Sequence, residues 1–124
     1  MRTADLIGPA LDWAVAKIEG ELKKADFYTH ESNGAFMLEV GEVSWVYSPT
    51  TKWAQGGPII EREWIEVVTT NAADNEAWEG ICPHRQDEAQ DAFIARGSTP
   101  LVAAMRCYVA SKLGDDVAIP EELK

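Results

Sequence analysis

The 124-residue sequence predicts an α+β fold, a small antiparallel sheet of about four strands packed with two to three helices. Three observations point there. Two segments carry apolar residues at helical spacing, several short runs rich in β-branched and aromatic residues are separated by tight turn signals, and no strand–long helix–strand alternation of a parallel sheet is present. The composition, 46% hydrophobic and 26% charged, is that of a chain with a packed core rather than a disordered one.

The first helix is expected over Gly8–Glu19, where Leu11, Val15 and Ile18 recur on one face with Ala10, Trp13 and Ala14 beside them. Pro9 suits a first turn, Gly20 suits the stop, and Thr3–Ile7 reads as a separate short turn. Between Phe27 and Tyr47 the turn signals Asn33-Gly34 and Gly41-Glu42 bracket two expected strands, Phe36–Val40 and Val43–Tyr47, joined as a hairpin. Val43, Trp45 and Tyr47 alternate with Ser44 and Val46, so one face of the second strand should pack on a helix.

Ser48-Pro49-Thr50-Thr51 offers hydroxyls to cap a helix from about Thr51 to Arg62. Gly56-Gly57-Pro58 lies within that helix, which predicts either a kink or two short helices joined by a turn. Ile65–Thr69 alternates as a strand and Asn71–Asn75 reads as a polar turn. Trp78–Cys82 is the next strand, Pro83–Glu88 a solvated loop, and Phe93–Ala95 the last strand. The final helix has Thr99 as N-cap, Pro100 as first residue and Gly114 as stop. Its apolar face is Leu101, Met105, Tyr108, Val109 and Leu113, with Arg106 and Lys112 set to complement the helix dipole. Val117 and Ile119 are expected to pack back as a short tail. A single domain spans residues 1–124, with residues 83–92 as a variable loop.

Charge excludes several function classes. Twenty-one acidic residues against 11 basic ones give a net charge of -10, spread along the chain, a field that repels nucleic-acid backbones and anionic membranes. Direct nucleic-acid binding and membrane association are therefore not expected, whereas basic partners are favoured. The two cysteines, Cys82 and Cys107, form no CxxC pair, and Cys82, His84, His30 and Cys107 would have to converge from scattered segments to hold a metal. No metal, cofactor or catalytic residue is assigned, and no segment reads as a signal peptide or membrane span, so the expected location is the cytoplasm.

The segment from Ser48 to Glu63 concentrates unusual residues. A binding surface is expected from Ser48, Thr51, Lys52, Trp53, Gln55, Gly56, Gly57, Glu61 and Arg62, because glycines admit a close approach and Trp and Arg anchor interfaces. The competing reading is that Gly56 and Gly57 only let the helix cross a neighbour closely. No phosphate-loop pattern is present, and Glu61, Glu63 and Glu66 lack a convergent histidine for acid–base work. Of the five tryptophans, Trp13, Trp45, Trp53, Trp64 and Trp78, most should be core; an exposed Trp53 or Trp64 would mark a partner patch.

Three blocks carry a resemblance: Ala10-Leu11-Asp12-Trp13-Ala14-Val15-Ala16; Tyr47-Ser48-Pro49-Thr50-Thr51 through Trp53-Ala54-Gln55-Gly56-Gly57-Pro58-Ile59-Ile60-Glu61; and Thr99-Pro100-Leu101-Val102-Ala103-Ala104-Met105-Arg106-Cys107-Tyr108-Val109. Their order resembles the NinX-like family of small bacteriophage and prophage proteins. The resemblance implies a phage origin, expression inside a bacterial host, an α/β/α-sandwich arrangement and no enzyme activity. On this reading the chain is an accessory interaction module for a host or phage protein, with a homodimer as a further partner expectation. Two alternatives stand beside it: an acidic nucleic-acid mimic that blocks a host DNA-binding factor, and a small enzyme of unidentified substrate.

Overall fold

A computed structural model describes residues 1–70, 75–83 and 92–124. The expected turn at 71–75 and the loop from 83 to 92 therefore fall largely outside the described residues. Helix α1 spans Gly8–Ile18 and α3 Pro100–Leu113, each with proline in its first turn as expected. Thr99 caps α3 by accepting the Val102 N–H on its hydroxyl at 3.1 Å. Gly20, at φ 79°, turns the chain after α1, and Gly114 ends α3. Thr3–Asp5 is a short 3-10 turn.

Two three-stranded antiparallel sheets replace the single sheet of about four strands. The first joins β1 (Asp26–Thr29), β2 (Phe36–Val40) and β3 (Val43–Val46) in sequence order. β1 was not foreseen, because Asp26–Thr29 is short and mostly exposed, without the apolar alternation that marks a strand. The second sheet joins β4 (Glu66–Thr69), β5 (Trp78–Cys82) and β6 (Phe93–Gly97).

The layering also differs from a sheet covered on both sides by helices. α1 packs on β2 and on α3, and α3 packs in turn on β4, β5 and β6, so the helical pair joins one sheet to the other. Leu38 of β2, Leu11, Ala14 and Val15 of α1, and Met105 and Val109 of α3 are all fully buried in that shared core. Every residue of α3 from Leu101 to Val109 is buried, Arg106 among them. Arg106 lies 5% exposed and is held by bonds, not by the helix dipole. Its Nε donates to the Leu6 carbonyl at 2.8 Å, and Nη1 donates to the Arg96 carbonyl at 2.9 Å and to Glu76 at 2.8 Å.

Small residues set the contact between α3 and the second sheet. Gly80 pairs with Ala95 and Gly97 with Trp78 across neighbouring strands. A Cβ on Gly80 would sit 2.6 Å from the Ala103 carbonyl oxygen, and one on Gly97 2.6 Å from the Ala103 nitrogen. Backbone thus meets backbone there. Val117 and Ile119 are buried as expected, and the chain end returns through a bridge between Arg2 and Asp116. Among the described residues no helix is long and apolar enough to cross a membrane.

Candidate functional site

The hairpin leaves β3 at Val46 and turns through Ser48-Pro49-Thr50 into α2, Trp53–Glu63. The Ser48 carbonyl accepts the N–H groups of Thr51 and Lys52, at 3.1 and 2.8 Å, which closes the turn. Neither Ser48 nor Thr51 caps α2; Lys52 occupies that position without a side-chain bond. α2 is one continuous helix through Gly56-Gly57-Pro58. Pro58 has no N–H to give the Ala54 carbonyl, and both residues lie on the exposed side of the helix, where solvent tolerates the missing bond.

Gln55 clamps the turn to the strand before it. Its Oε1 accepts the Ser48 N–H, while Nε2 donates to the Val46 carbonyl at 2.9 Å, so the amide continues the β3 edge. Gly56 is a close-packing residue: a Cβ would strike the Pro49 carbonyl and reach Leu101 Cδ2 at 2.7 Å. Gly57 has no such neighbour, the nearest atom being Trp53 Cε3 at 3.9 Å. Lys52, Trp53 and Glu61 are exposed. Arg62 is exposed yet engaged, its Nη1 and Nη2 forking onto the Glu19 carboxylate at 3.0 and 2.7 Å and its Nε meeting Glu63 at 3.0 Å. The Tyr108 hydroxyl donates to the same Glu19 at 2.7 Å and lies 3.1 Å from Arg62 Nη2, so three helices meet at one polar knot. Within the expected binding set, Gln55, Gly56 and Arg62 are thus spent partly on internal contacts, while Lys52, Trp53 and Glu61 face solvent.

Two features of this region lie outside the binding set expected from the sequence. The first is the backbone at Trp64, a residue whose exposure was expected to mark a partner patch. The Ile65 N–H bonds back to the Ile60 carbonyl at 3.0 Å, closing α2 with a turn whose pivot is Trp64 at φ 56°. Glycine is the usual occupant of such a left-handed position, and here it is a tryptophan, 70% exposed.

The second is Asp12. It sits on the buried side of α1 at 3% exposure and faces the Ser48–Thr51 turn. The Thr50 N–H donates to its Oδ1 at 3.1 Å and the Ser48 hydroxyl approaches Oδ2 at 3.4 Å. Ser48 and Thr51 share a further hydroxyl bond. The Thr50 hydroxyl lies beside the same carboxylate without completing a hydrogen bond of ordinary geometry. Burial pushes the Asp12 carboxyl up to about 7, against the opposing pull of the Thr50 and Ser48 bonds. The group lines a cleft of about 180 Å³ shared with Gly8, Pro9, Asn33, Gly34, Thr50 and Thr51. A lone acid between Leu11 and Val15 on the apolar face of α1 was the available sequence signal.

An acid whose folded value lies above its ordinary 3.8 binds a proton more tightly in the folded chain. Its contribution to stability is full below about pH 4 and is lost as pH rises through 7. Asp12→Asn keeps an acceptor for Thr50 and removes the buried charge. The variant is therefore expected to gain about 3 kcal/mol relative to wild type between pH 4.5 and pH 8. Urea unfolding of both chains across that range checks it, and a constant difference would show that the carboxyl titrates normally.

Elsewhere, Cys82 and Cys107 are buried free thiols, and contact with Cys82 together with burial pushes the Cys107 thiol up. No group of metal-ligating residues converges among the described residues. No curated protein matches the chain. The family model described as Bacteriophage P22, NinX, by contrast, matches residues 2–112, nearly the whole sequence and all three blocks quoted above, and the chain belongs to that family.

Proposed function

We propose that the chain is a non-enzymatic interaction module of the phage that holds a basic protein partner against the solvent face of α2. The observation that carries this reading is Trp64. A large aromatic side chain occupies a strained left-handed position and remains 70% exposed, next to a helix that also exposes Trp53 at 57%. Glycine at that position would relieve about 1 kcal/mol of backbone strain. Exposed tryptophans are the commonest anchors of protein interfaces. The net charge of -10 selects the sign of the partner.

The test compares wild type with Trp64→Gly and Trp53→Ser in capture from a bacterial lysate at two salt concentrations. The expected result is that Trp64→Gly and Trp53→Ser both remain folded and both lose a captured protein of basic charge. Capture unaffected by both substitutions would move the contact off α2. A partner lost with salt but indifferent to the tryptophans would favour the nucleic-acid-mimic reading, in which charge alone does the binding.

A further inference from the structure

We infer that the cleft over Asp12 is a receptor for a single cationic N–H group, the guanidinium or ammonium head of a basic side chain carried by the protein partner. The inference rests on the reading of the chain as an interaction module and names the chemistry of one contact within it. In a largely apolar lining, the polar groups of the cleft are rich in acceptors. Asp12 offers two oxygens, each meeting one donor where an ionised carboxylate has room for about two. The Thr50 hydroxyl, 3% exposed, stands beside them with no completed hydrogen bond, and the Ser48 and Thr51 hydroxyls add further lone pairs. Asn33 Oδ1 accepts the Ala35 N–H at 3.0 Å on the opposite wall. Pro9, in the first turn of α1, brings no N–H to the wall it forms.

Among the described residues no lysine, arginine or histidine forms an ion pair with Asp12. A desolvated carboxylate in that state is unfavourable when ionised, and a cation that donates hydrogen bonds is the group that reverses the penalty. The titratable neighbour is Tyr47, whose phenol is pushed above its usual range by burial first and then by Glu19, Glu21 and Asp12; Thr50 and Ser48, the other groups acting on the carboxyl, are uncharged. Size points the same way. About 180 Å³ admits the head of one side chain and falls short of the roughly 300 Å³ at which small-molecule and cofactor sites begin. Position agrees as well: Thr51 on the rim is two residues from exposed Trp53, so one partner surface spans both.

The test uses the full chain, isotopically labelled, titrated at pH 8 with methylguanidinium, methylammonium and tetramethylammonium at constant ionic strength, and read at the Thr50 amide. The expected result is a saturable shift with the first two probes and none with tetramethylammonium, which has the charge but no N–H. Asp12→Asn should weaken the response at least tenfold, and Thr51→Val, a substitution at the exposed rim, should weaken it several-fold. Equal responses in wild type and Asp12→Asn, or an equal response to tetramethylammonium, would overturn the assignment, as would no saturable shift. Trp64→Gly should leave the titration unchanged. Probe binding without lysate capture would retain the cleft and remove the α2 module, and capture without probe binding would do the reverse.

Discussion

Gly97→Ala and Gly80→Ala are each expected to destabilise the chain by about 3 kcal/mol, the upper part of the range for overpacked interiors. The reason is what the new methyl meets. Most inserted methyl groups push against a side chain that can change rotamer. Here the opposing atoms are the Ala103 nitrogen and Cα for Gly97, and the Ala103 carbonyl for Gly80, all within 3.0 Å of the added carbon. Those atoms belong to the first turn of a helix that is buried on every side from Leu101 to Val109, so relief requires moving that part of α3 away from β5 and β6 together. Gly57→Ala supplies the contrast. It adds a methyl to an α-helix with no contact closer than 3.9 Å and should gain roughly 0.5–1 kcal/mol from helix propensity. Urea midpoints for the three variants decide the matter, and a loss below 1 kcal/mol at both Gly80 and Gly97 would mean that the helix rides up without penalty.

Removal of Arg106 should do comparable damage by a different route. Arg106→Ala removes the bonds to the Leu6 and Arg96 carbonyls and the ion pair with Glu76, and opens a cavity beneath α3. Breaking a buried charged network of this kind typically costs about 3–5 kcal/mol. The two ends of the ion pair are not equivalent. The Arg106 side chain is 6% exposed and that of Glu76 44%, so Glu76→Gln keeps access to water and should lose far less. Arg106→Met, which keeps the stem and discards the charge, should fall between them. If alanine and glutamine variants unfolded at the same urea concentration, the carbonyl contacts would be irrelevant and the pair alone would matter.

The parts of the fold that were legible in the sequence are those where one local rule acts alone. Thr99-Pro100 and Gly114 bracket α3 because cap chemistry is local, and Trp78–Cys82 is a strand with the expected bounds. The second sheet and the central place of the helices were not legible, since the pairing of β4 with β5 and the seat of α3 depend on Gly80 and Gly97 meeting Ala103 from distant parts of the chain. Arg106 shows the same limit. Charge near a helix end suggests a dipole partner, and only the fold reveals three acceptors converging on it. In the α2 region, composition identified the segment and not the roles within it. Gly56 is pressed against Pro49 and Gln55 copies a strand, whereas Asp12, one acid on an apolar helix face, gave no local sign that Thr50 and Ser48 would turn toward it.

The knot of Arg62, Glu19 and Tyr108 bears on how quickly and how reproducibly a partner is met. α2 is pinned at its C-terminal end to α1 and α3 by that knot, and near its start by Gly56 seated on Pro49 and by the Gln55 clamp. A helix fixed at both ends has little conformational freedom left to surrender, so the encounter should resemble rigid docking rather than folding on contact. Differences among partners would then be written in how long each stays, since the arriving molecule always finds the same shape.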